Sequence, residues 1–146
     1  MSFTVDGTSG LTFPNSTTQA SAGGITLLGT LTTTSGTTQT LSGLTLTNYK
    51  FLLMSFNAVS CTGAGQITIN GSYIVSSYLG AANETATGTA WLDLSNGVVG
   101  STAVSQSYPY GTGSVTNVTT ASTSISFNSP ATTSFDAGSI KVYGVA

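Results

Sequence analysis

Residues 49–60, Tyr-Lys-Phe-Leu-Leu-Met-Ser-Phe-Asn-Ala-Val-Ser, are the longest run of large apolar residues in the chain and are flanked on both sides by polar sequence. At a strand's period of two, Leu52, Met54, Phe56 and Ala58 share one face, while Tyr49, Phe51, Leu53 and Val59 share the other, interrupted by Ser55 and Asn57. Both faces therefore need cover. A second sheet can bury one, and the other calls for a further layer such as a neighbouring subunit or an overlying loop.

The rest of the chain is punctuated for short strands. Ile25 to Thr32 alternates and stops at Ser35-Gly36, Thr37 to Leu41 is closed by Ser42-Gly43, and Leu44-Thr45-Leu46 leads through Asn48 into the central strand. Asn70-Gly71 lies between the alternating runs Gln66–Ile69 and Ser72–Val75. This is a type I′ hairpin signature, because both central residues must accept positive φ. A second Asn-Gly, at 96–97, separates Ala90–Leu94 from Val98-Val99 and predicts another hairpin. Residues 80–89 read as a small polar loop with room for one helical turn at 81–84, and Tyr108-Pro109-Tyr110-Gly111 as an aromatic loop. Val115–Thr119, Ile125–Phe127 and Ser139–Val145 supply the last strands. About ten strands at intervals of roughly 8–12 residues, without a helix, predict an all-β fold, a jelly-roll-like antiparallel β-sandwich over 25–146.

Ahead of it, residues 1–24 hold Pro14 and four glycines and read as a short extended N-terminal arm, with β-like pieces around residues 3–5 and 11–13. So few apolar residues make no core of their own. Phe3, Val5, Leu11 and Phe13 are expected to dock on a sister chain or a larger scaffold.

Charge narrows the function. The 146 residues include two lysines and four acids, 4% charged in all, for a net charge of -2, and about a third are Ser or Thr. Phosphate binding needs a basic footprint, so neither nucleic acid nor a membrane surface held through basic residues is an expected partner. No apolar stretch approaches a membrane span and no secretory signal opens the chain, so membrane insertion is not expected and synthesis in a cytosol is. A hydroxyl-coated surface has little self-repulsion, which favours a defined assembly.

The residues that usually carry catalysis are scarce. There is no histidine, Cys61 is the lone cysteine, and the acids are scattered, so neither a triad nor a zinc or iron site is expected, no cofactor is implied, and the chain reads as no enzyme. Glu84 and Asp93 are the one acidic pair close in sequence; a glycosidase dyad there is weighed against two solvated acids. Gly63-Ala64-Gly65 and Gly111-Thr112-Gly113 read as turns, and Asn-x-Ser/Thr triplets at Asn15, Asn70, Asn83 and Asn117 arise by chance in so hydroxyl-rich a chain. Binding is the stronger reading. Trp91, Tyr108 and Tyr110 could stack on sugar faces with Asp93 as a hydrogen-bond partner, against the alternative that such rings, like Tyr73 and Tyr78, serve core or subunit contacts.

Two motifs add a family resemblance. Gly10–Gln19, GLTFPNSTTQ, resembles the "ITFPDGTTQ" element of tail-fibre proteins of tailed bacteriophages, and Thr133–Tyr143, TSFDAGSIKVY, resembles the "TFDAGSI" strand closing their β-sandwich tip domain. Thr34–Thr38 and Phe56–Ser60 are similar to their "TTSGT" and "FNGVS" pieces. The resemblance implies a virion appendage protein, commonly trimeric, exposed on the particle and contacting a host surface, with no catalytic residues to carry over. Such fibres have a long shaft before the tip, whereas about 24 residues precede it here, which fits a short capsid or vertex fibre. The expectation is a homotrimer meeting through Phe51 or Leu53, docked by its arm on a larger virion protein of capsid, vertex or tail and displaying the sandwich to host glycan. The alternative is a purely architectural decoration protein with no receptor.

Overall fold

The structure, a computed structural model, describes residues 4–6, 10–12, 18–19, 24–82, 84–102 and 114–146; for 4–6, 10–12, 18–19, 73–78, 101–102 and 114–115 it describes the backbone course alone. Three short strands, β1 (Thr4–Asp6), β2 (Gly10–Thr12) and β3 (Thr18–Gln19), pair antiparallel in that order, with Val5 opposite Leu11. The segment expected to be an extended arm thus doubles back on itself.

Ten strands follow: β4 (Ile25–Thr32), β5 (Thr38–Ser42), β6 (Phe51–Cys61), β7 (Gly65–Ile69), β8 (Ser72–Leu79), β9 (Ala86–Asp93), β10 (Val98–Thr102), β11 (Ser114–Val115), β12 (Ser124–Asn128) and β13 (Phe135–Val145). They form two antiparallel sheets, a six-stranded one in the order β11-β10-β9-β6-β13-β4 and a four-stranded one in the order β5-β12-β7-β8. Pairing is nested: β4 with β13, β5 with β12, β6 with β9, β7 with β8. A long hairpin wound across the two sheets of a β-sandwich gives this order, with β10 and β11 widening one sheet beyond β9.

The inward faces meet in one apolar core. Leu52, Met54, Phe56, Ile140, Val142, Ala90, Leu92 and Val99 from the larger sheet meet Ile67, Ile69, Leu79, Ile125 and Phe127 from the smaller. Phe56 and Phe127 join the layers edge to face, centroids 6.1 Å apart and planes at 79°. Leu44 and Leu46, read as the approach to the central strand, are instead a buried plug in the β5–β6 connection. The predicted strand 115–119 is shorter: β11 ends at Val115, and the chain beyond it is held by buried Thr116, whose amide donates to Gly97 O at 2.8 Å, and buried Val118.

The turns follow their chemistry. Asn70 (φ 46°) and Gly71 (φ 82°) form the two-residue hairpin read from sequence, and Asn70 Oδ1 also accepts the Ser126 amide at 2.8 Å. At 94–97 the loop is longer than a two-residue hairpin: the Gly97 amide donates to Asp93 O, and Asp93 Oδ1 accepts from the Ser95 amide and hydroxyl at 2.8 and 2.6 Å. The helical turn given room at 81–84 does not appear among the described residues there; the Glu84 amide donates to Ala81 O and the Gly80 amide donates to Glu84 Oε2.

One irregularity lies at the centre. Between the pairs Phe56–Gly88 and Val59–Ala86, Asn57 and Ala58 together face Thr87; toward β13, Ala58 and Val59 face Gly138. This bulge puts Ala58 at φ 48° and shifts the alternation by one residue. The assignment of faces is corrected accordingly: Ala58, read on one face with Leu52, Met54 and Phe56, is exposed while they are buried, and Val59, read on the face of Phe51 and Leu53, is fully buried with Cys61. A Cβ on Gly138, at φ 94°, would lie 2.4 Å from Ala58 O, so glycine is required there.

Candidate functional site

The outer face of the six-stranded sheet carries what the core does not use. Leu27, Tyr143, Leu53, Trp91 and Gly100 stand opposite one another on five successive strands, β4, β13, β6, β9 and β10. The neighbouring row is Ile25, Val145, Phe51 and Asp93. Ile25 is 61% exposed, Leu27 52%, Trp91 43% and Phe51 39%, with Leu53, Tyr143 and Val145 half-buried beside them. The face predicted to need cover is therefore open and apolar in this chain. Trp91 is not a core residue: its indole packs over Gly100, where a Cβ would come within 2.5 Å of the ring.

Asp93 shares the Trp91 face, but its carboxylate is occupied in the β9–β10 turn. The Ser95 hydroxyl and then the Ser95 amide hold its pKa below the ordinary carboxylate value. It therefore serves first as the organiser of a turn. It also lines a small recess of about 280 Å³ with Tyr49, Lys50, Phe51, Leu94, Ser95 and Thr120. Glu84 precedes β9 and Asp93 ends it. Seven strand steps between Ala86 and Asp93 span about 23 Å, too far for the paired carboxyls of a glycosidase.

On the same face, one step from the Trp91 row, the chemistry turns polar. Lys141, Ser55 and Thr89 stand opposite one another on β13, β6 and β9. With Asn57, Thr87, Phe56 and Gly88 they line an open dish of about 400 Å³ beside the bulge. Thr87 Oγ1 accepts the Ala58 amide at 3.1 Å and so anchors the bulged backbone to the dish. The sequence carried a sign of this site in Ser55 and Asn57, the two interruptions of an otherwise apolar face. Thr87, Thr89 and Lys141 had none, because they join the site only through strand register.

The remaining candidates are placed as follows. Tyr108 and Tyr110 lie outside the described residues, as do Phe3 and Phe13; the side chains of Val5, Leu11, Tyr73 and Tyr78 are likewise outside the description. Phe51 and Leu53 are on the open face. Cys61 is buried, and burial, then the negative charge of Asp136, push its thiol up from 9.0 to about 12, partly offset by a hydrogen bond with Thr133. Ser60 Oγ donates to Asp136 Oδ1, so that carboxylate is engaged within the fold. Among the described residues no cluster of three His, Cys, Asp or Glu could hold a metal, and no helix is long and apolar enough to cross a membrane.

No protein-family model matches the chain, and neither a curated protein nor a solved structure matches it.

Proposed function

We propose that this protein is a structural component of a bacteriophage particle: a short fibre-like appendage attached through residues 1–24, assembled as a homotrimer, and displaying its sandwich to the host surface. The observation that carries the reading is the open apolar row across five strands. Monomeric soluble proteins rarely expose a large contiguous apolar surface, and a chain with 4% charged residues opposes contact between its own copies with little charge repulsion. Three copies related by a closed rotation cover this apolar row. The tail-fibre-like segments Gly10–Gln19 and Thr133–Tyr143 point the same way, the second overlapping β13, which lies between β6 and β4 in the larger sheet.

Gold-labelled antibody imaging of particles tests the assignment, together with loss of incorporation when residues 1–24 are removed and the sandwich still melts cooperatively. A truncated chain incorporated as well as the full one overturns the docking role. The architectural alternative draws on the same apolar row, since contacts between copies need no receptor. Adsorption of particles with and without the protein separates the two: a fall in adsorption supports display, and unchanged adsorption supports decoration.

A further inference from the structure

We propose that the dish beside the β6 bulge is a binding site for a saccharide carrying an acidic group, with Lys141 facing the acid and Ser55, Asn57 and Thr87 facing the sugar hydroxyls. The inference deepens the display reading and rests on it for the biological ligand, though not for its test.

Three observations carry it. The first is the lining: two threonine hydroxyls, a serine hydroxyl, a carboxamide and an ammonium, with no acidic residue among them. Hydroxyls and an amide donate and accept in every direction, which suits a ligand whose rim is all hydroxyls. The second is charge. Lys141 is one of two cations in a chain of net charge -2, and the other, Lys50, lines the separate recess by Asp93, so the dish is a local positive point that selects an anionic ligand. One ammonium is far too little for a nucleic-acid backbone.

The third is construction. The dish sits where β6 is bulged, with Ala58 held at φ 48° by Thr87 and by the close approach of Gly138. A non-glycine residue in the left-handed region costs about 1–3 kcal/mol and persists where the surroundings enforce it. At the bulge Asn57 and Ala58 both face Thr87, beside a volume of about 400 Å³, within the range of small-ligand sites.

The test is a titration of the full ¹⁵N-labelled chain with trigalacturonate, followed by amide shifts, with maltotriose and inorganic phosphate as comparison probes. The expected result is saturable shifts confined to residues 55–58, 87–89 and 141 for trigalacturonate, at least tenfold weaker with maltotriose and with phosphate. Lys141→Ala is expected to weaken binding at least tenfold and Lys141→Arg to retain it, both melting at the wild-type temperature. Three results overturn the site: shifts elsewhere on the surface, unchanged binding by Lys141→Ala, or phosphate matching trigalacturonate, which marks a simple anion contact. Particle imaging is indifferent to all three, so failure of the dish and failure of the appendage reading are separately visible.

Discussion

At position 58 a side chain other than glycine occupies the left-handed region, and at position 138 the neighbouring backbone leaves no room for a Cβ. The two residues therefore respond in opposite directions. Ala58→Gly relieves a left-handed alanine, and a gain of about 1 kcal/mol is expected; Gly138→Ala forces a clash with Ala58 O, and a loss of more than about 1 kcal/mol is expected. Chemical denaturation of both variants checks the pair. Cys61 adds a pH dependence. Its thiol ionises at about 12 in the fold against 9.0 unperturbed, so its contribution to stability is complete below pH 9 and is lost as pH rises toward 12. Melting temperatures between pH 8 and 11 are expected to fall less steeply for Cys61→Ala than for the wild type, and the slopes, not the absolute values, carry the comparison.

At the scale of elements, the strands form where apolar alternation is bounded by turn residues, and Phe56 on β6 meets Phe127 on β12 edge to face between the sheets. Phe56→Ala is expected to cost about 3–5 kcal/mol, read as a lowered denaturation midpoint. Alternation made most strands legible in the sequence, and Asn70-Gly71 gave a turn whose both residues do have positive φ. Two features were hidden for a physical reason. The bulge depends on Gly138 and Thr87, which lie 80 and 29 residues from Ala58 in sequence, so local periodicity assigned Ala58 and Val59 to the wrong faces. The dish likewise depends on register, which set Thr89 and Lys141 beside Ser55. Asp93 read as a free partner because a turn's internal hydrogen bonds leave little mark on composition.

For the whole molecule, the sandwich closes its core on one side of the larger sheet and leaves apolar side chains on the other. Residues 49–60 already carried that imbalance, with large side chains on both faces, and the neighbouring strands extend it through Ile25, Leu27 and Trp91. Covering these exposed apolar side chains with further copies is the central claim, and light scattering of the purified chain tests it most directly. Wild-type protein is expected at about 44 kDa, three times the 14.6 kDa chain. Leu27→Glu with Phe51→Glu is expected to give folded monomer, because like charges would then face one another across the contact. A wild-type mass of one chain at every concentration, or a trimer unaffected by the double substitution, would contradict it.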